Sequence, residues 1–60
     1  MIQIEIIESY SEASLVKECN YFLEQLEEHL FVDIRFSSFF VDDEDGFKTK
    51  YCVLIIYRVL

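Results

Sequence analysis

Sixty residues hold a single domain, residues 1–60, and a chain this short buries only about 60% of the surface its unfolded form exposes, so it ordinarily needs a disulfide, a metal or a second subunit. Hydrophobic residues make up 53% of it, which excludes a disordered acidic tail. Its net charge of −7, from twelve acids against five bases, argues against direct binding of DNA or RNA, whose affinity comes from lysines and arginines releasing counterions.

Of the three staples, the second subunit fits best. Nothing at the start of the chain has the basic, apolar, small-residue order of a secretory signal. The uncharged apolar stretch Tyr51 to Tyr57 falls far short of the roughly 20 residues of a membrane helix. A cytoplasmic setting follows as the expectation, that of a bacterial cell or of a host infected by phage. There Cys19 and Cys52, each inside an apolar pattern, are expected to stay thiols and behave as small hydrophobes.

Ile2, Ile4 and Ile6 alternate with Gln3 and Glu5, with Ile7 following, which predicts a first strand. A helix start comes next. Ser9 and Glu12 have capping-box spacing, and Ser11 is a rival cap with Tyr10 and Leu15 placed as a hydrophobic staple. From Glu12 to about His29, the residues Leu15, Val16, Cys19, Phe22, Leu23, Leu26 and Leu30 recur at gaps of three and four and predict an amphipathic helix. Val32, Ile34, Phe36, Ser38 and Phe40 then alternate with Asp33, Arg35, Ser37, Phe39 and Val41 as a second strand. Asp42-Asp43-Glu44-Asp45-Gly46 is the turn, where glycine supplies a positive φ. Phe47 to Leu60 is a long third strand.

The predicted fold class is α+β, in the order β-α-β-β. A right-handed crossover makes strands one and two parallel. The hairpin sets strand three antiparallel to strand two. As the longest and most apolar strand, it is expected in the centre of a three-stranded sheet of order 1-3-2, with one helix on one face. The charge-free set Ile2, Ile4, Ile6, Val32, Ile34, Phe36, Tyr51, Val53, Ile55 and Tyr57 is assigned to the helix side, because buried unpaired charge is costly. The opposite face then carries Ile7, Phe39, Val41, Cys52, Leu54 and Ile56, with charges such as Arg58 around them. A one-residue slip or bulge in the hairpin would exchange the faces of strand three. Either way an apolar patch stays uncovered, and Ile7, Phe39, Val41, Cys52, Leu54, Ile56 and Arg58 are the expected interface with a second copy or another partner. Exposed sheet edges offer a second route, by strand addition.

The same residues give no foothold for catalysis. His29 is the only histidine, placed near the end of the helix as a capping residue. No serine or cysteine lies in a nucleophile motif, and with twelve acids no pair of carboxylates stands out. Aligning Gly46 with the turn glycine of an EF-hand loop puts Val41 and Cys52 where acids belong, so the acidic run reads as a turn and not a calcium loop. Cys19, Cys52 and His29 lack the close pair and fourth ligand of a structural zinc set. The expectation is a protein that is no enzyme and has no cofactor and no metal. Glu18, Glu24, Glu28, Asp42, Asp43, Glu44 and Asp45 form a candidate acidic surface toward a basic protein partner.

The segments Ile4 to Glu8, Asn20-Tyr21-Phe22-Leu23, Val32-Asp33-Ile34-Arg35-Phe36-Ser37 and Tyr51-Cys52-Val53-Leu54-Ile55-Ile56-Tyr57-Arg58 resemble the short sporulation proteins of Bacillus under mother-cell sigma-E control. The resemblance covers most of the chain and implies no catalytic residue. In size, acidity and architecture the chain is also similar in kind to the small dimeric phage inhibitors of the Hachiman defence system. The first reading is therefore a homodimeric binding protein that modulates or inhibits a protein partner, as a phage anti-defence inhibitor does. The alternatives are a small sporulation-associated protein of structural or regulatory role, and a DNA mimic that blocks a nucleic-acid-binding enzyme. None of the three involves direct contact with nucleic acid or membrane.

Overall fold

The computed structural model describes residues 1–60 and contains strand β1 (Ile2–Ser9), helix α1 (Glu12–Gln25), a 3-10 turn at Glu28–Leu30, and strands β2 (Phe31–Asp43) and β3 (Gly46–Arg58). The three strands form one sheet in the order β1-β3-β2, and β3 runs antiparallel to both neighbours. This is the β-α-β-β arrangement that the pattern of the chain predicts.

Local chemistry accounts for each boundary. Ser11 has an extended backbone, and its Oγ accepts from the Ser14 amide at 3.3 Å, so Ser11 and not Ser9 caps α1. The Ser9 hydroxyl accepts from the Ser11 amide at 3.1 Å and holds the two-residue connection from β1. The helix ends at Gln25, a turn earlier than its apolar stripe suggests, and Leu26 returns to extended backbone. The stripe outlives the helix because Leu26 and Leu30 stay half-buried through the 3-10 turn. His29 is consequently not at the α1 terminus but lies beyond it, exposed, with Nε2 3.5 Å from Glu27.

At the hairpin, Asp43 pairs with Gly46 across Glu44 and Asp45. Only Gly46 has a positive φ, at 110°, and it re-aligns the strands after the turn. The Glu44 amide donates to Asp43 Oδ1 at 2.6 Å, which closes the turn from the acidic side. A bulge falls between Phe31 and Asp33, at the far end of β2 from the hairpin, so strand three keeps the expected facing.

The core is small: Leu15 and Cys19 from α1 meet Val53 and Ile55 from β3, with Ile7, Phe22, Leu23, Tyr51 and Tyr57 packed around them. Phe22 meets the edge of Tyr57 with ring centroids 5.4 Å apart. Cys19 is a free thiol held above its usual pKa, first by burial and second by neighbouring Glu18. Helix α1 rests on β1 and β3 and barely reaches β2. Because β1 stops where Ser9 faces Tyr51, the ends of β2 and β3 continue alone as a two-stranded arm. The molecule measures 44 × 19 × 13 Å, and its radius of gyration of 13.4 Å exceeds the roughly 10 Å of a compact 60-residue domain.

Candidate interaction surfaces

Directly opposed residues of paired strands share a face, and successive residues alternate. With Val53 and Ile55 fixed beneath α1, the register sorts every strand residue. Tyr51, Val53, Ile55 and Tyr57 face the helix, as do Ile34 and Phe36 of β2. These match the expected set. Strand β1 is reversed. Ile7 lies opposite Val53, Glu5 opposite Ile55 and Gln3 opposite Tyr57, so these three face the helix, and Gln3 Oε1 accepts from the Tyr57 hydroxyl at 3.2 Å. Ile2, Ile4 and Ile6 pair with Arg58, Ile56 and Leu54 and point away from the helix. Each of the three is more than half exposed.

Two assignments are thereby corrected: Ile7 belongs to the core rim and not to the candidate interface, and the three isoleucines leave the helix side for the open one. Ile7 lies opposite Val53 and packs against the core formed with Leu15, Cys19 and Ile55, so the helix covers that parity of β1. Absence of charge was the wrong guide here, because Glu5 sits at the rim, where it is only half-buried. Val32, also expected on the helix side, is the extra residue of the bulge and has no partner on β3.

The open face thus gathers Ile2, Ile4, Ile6, Cys52, Leu54 and Ile56, with Phe39 and Val41 farther along the arm and Arg58 at the opposite end. All but one of its charges are paired within the face. Arg35 Nε donates to Asp33 Oδ2 at 2.9 Å, Lys48 Nζ lies 2.8 Å from Asp43 Oδ2, and Lys50 Nζ lies 2.8 Å from Glu8 Oε2. Asp33 titrates below the usual carboxylate range because the Ile34 amide and then Arg35 bond to it. Asp43 does so through Lys48 and then the Glu44 amide. Lys50 is raised by its bond to Glu8. Four of the five bases of the chain, Arg35, Lys48, Lys50 and Arg58, lie on this face, and only Arg58 lacks an acid partner.

The remaining nine acids and Lys17 lie on the helix side or at the hairpin tip. Of the acidic surface expected from the sequence, Glu18 and Glu24 are on α1, Glu28 is in the 3-10 turn, and Asp42 to Asp45 are more distant at the end of the arm. Asp43 departs from that set, since it pairs with Lys48 on the open side.

Because α1 leaves β2 uncovered, a groove of about 430 Å³ opens between them. Leu15, Cys19 and Val53 form its floor, Val16 and Leu23 one wall, Ile34 and Phe36 the other, with Glu12 and Asn20 at the rim. The Phe36 ring stacks on Tyr51 at 6.3 Å yet stays largely exposed. This groove has no counterpart in the strand-by-strand sequence pattern. The width of one helix against three strands was the available signal.

The chemistry-bearing residues are dispersed. Cys19 is under the helix, Cys52 is on the opposite sheet face and His29 is in the 3-10 turn. No three of the His, Cys, Asp and Glu side chains converge as a metal-binding group. No helix is long and apolar enough to cross a membrane.

No curated protein and no solved structure is significantly similar to the chain. A family profile described as Sporulation protein Cse60 matches residues 1–59. The match takes in every segment that carries the sporulation resemblance, and the likeness to phage inhibitors finds no counterpart. With all but its last residue matched, the chain belongs to the Sporulation protein Cse60 family.

Proposed function

We propose that this protein is a non-catalytic, sporulation-associated binding protein of the cytoplasm that works as a homodimer and engages another protein. The family match favours this setting over phage anti-defence. The observation that carries the binding reading is the facing of β1. The strand turns its three-isoleucine row to solvent and its Gln3 and Glu5 toward the helix, the reverse of what a lone subunit would gain most from burying.

An open face that is apolar at its centre and charge-matched around it fits a second copy of itself. Six of the seven charges on this face are already paired within one copy, which leaves only Arg58 unmatched, and the acid-rich helix sides point outward. Replacing Ile4 and Leu54 together by glutamate tests this reading. The double variant is expected to lose chemical cross-linking between copies and to fail to restore sporulation in a spore-forming host that lacks the native chain. A variant that no longer cross-links and still restores sporulation would separate dimerisation from function and overturn the proposal.

A further inference from the structure

We propose that the free edge of β2 pairs antiparallel with the same edge of a second copy, about a twofold axis at Phe39, and joins the two sheets into one. This contact uses a different surface from the open-face pairing and does not depend on it.

Backbone groups select a strand as the occupant. A two-residue loop sets Asp43 opposite Gly46 as a hydrogen-bonded pair, so the odd-numbered residues of β2 bond inward to β3. The even-numbered residues turn N–H and C=O to the free edge. No element covers that edge, since β2 packs on β3 and α1 lies over β1 and β3. Aspartates close the row at both ends: the Ile34 amide donates to Asp33 Oδ1 at 2.8 Å, and the Glu44 amide to Asp43 Oδ1 at 2.6 Å. Between them Phe36, Ser38, Phe40 and Asp42 keep backbone groups with no partner in the chain, a row that an extended backbone matches.

The symmetry of this row selects a second copy. Its midpoint is Phe39. Antiparallel pairing about that midpoint sets Phe36 opposite Asp42 of the second copy and Ser38 opposite its Phe40, so all four residues exchange both bonds. The same register sets Arg35 opposite Asp43 of the second copy, twice by symmetry. It thereby extends the Arg35 pair with Asp33 and the Asp43 pair with Lys48 into one row of alternating charge across the joint. Moving the axis to Ser38 would oppose Asp33 and Asp43, and moving it to Phe40 would slide Arg35 past the end of the strand. Phe39, 46% exposed, meets its own counterpart across the axis. A third strand is also what the two-stranded arm lacks. Backbone bonds with little apolar burial make this the weaker of the two contacts, formed above the micromolar range.

The test traps the contact by disulfide formation in the full chain, with Cys52→Ser throughout and the protein well above micromolar concentration. Across the axis the two Phe39 positions lie about 4.5 Å apart between Cα atoms, within disulfide reach, whereas facing sheets are about 10 Å apart. Phe39→Cys is expected to cross-link two copies. Ser37→Cys and Val41→Cys lie opposite each other in this register and about 14 Å from their own counterparts, so each alone is expected to stay single and their mixture to cross-link. Adding Arg35→Asp to Phe39→Cys is expected to slow cross-linking about tenfold. Mixing that protein with one carrying Asp43→Arg and Phe39→Cys is expected to restore the rate, because both charge pairs are then attractive. Equal cross-linking at Ser37, Phe39 and Val41, a rate indifferent to Arg35→Asp, or no cross-link in variants that circular dichroism shows folded would each overturn the proposal; the last would leave the edge to a foreign strand. A parent that sediments as one chain at micromolar concentration yet traps through Phe39→Cys fails the open-face reading and upholds this one.

Discussion

Four residues carry the interior, and their replacement has a cost set by how completely they are enclosed. Ile55 has no exposed surface, and Leu15 is nearly as buried. Ile55→Ala is expected to destabilise the fold by about 2–5 kcal/mol through lost burial and the cavity left behind, measured by chemical denaturation. Gly46 offers a contrast. Nothing lies within 4 Å of a Cβ placed there, so Gly46→Ala meets no clash, only the strain of an L-residue at φ 110°. That substitution is expected to cost about 1 kcal/mol and to act through the arm rather than the core. Ser11 as helix cap was legible as one of two candidates. The choice rests on which hydroxyl the chain reversal after β1 leaves facing the helix amides, a matter of geometry and not of spacing.

The elements differ in how firmly they are held. Strand β3 is paired on both sides along its second half, whereas residues 39–43 and 46–50 form a two-stranded arm, an arrangement that is marginal by itself in water. Phe40 and Phe47 are each 77% exposed on it. Amide exchange at Phe40 and Phe47 is therefore expected to be fast, and at Val53 and Ile55 slow, in native-state hydrogen exchange. Equal protection along the whole hairpin would contradict this division. Strand order and hairpin position were legible from the length and apolar content of β3 and the glycine-ended acidic turn, and the helix side of β3 from Lys48, Lys50 and Arg58, which all fall on the other parity. The facing of β1 was not. Its Ile2-Ile4-Ile6 row mimics a core face, and only the register against β3 shows that the row points outward. The groove was hidden for a related reason: periodicity reports which side of a strand is apolar, not how far a neighbouring helix extends over it.

At the scale of the molecule, charge is segregated by face. The open face holds three matched ion pairs and the exposed residues Ile2, Ile4, Ile6 and Phe39, and nine of the twelve acids lie elsewhere. Exposed pairs contribute little each, so in the proposed dimer they limit repulsion between two such faces more than they add affinity. Asp33 and Asp43 have lowered pKa values when folded, so protonation favours states in which their bonds are broken. The stabilisation they give is present above the ordinary carboxylate pKa and fades as pH falls through the lowered values. As pH falls through those lowered values Asp33 and Asp43 neutralise while the basic side chains of the face keep their positive charge, and two open faces then repel. Association followed by light scattering across pH is expected to weaken on acidification; a dimer that strengthens there would contradict the charge matching.

The central claim is that the open sheet face is completed by a second copy, and sedimentation equilibrium at micromolar concentration tests it most directly. The protein is expected to sediment at twice the chain mass, and the Ile4→Glu, Leu54→Glu variant at the mass of one chain. A parent protein that sediments as a single subunit, folded and with no tendency to associate, would contradict the account.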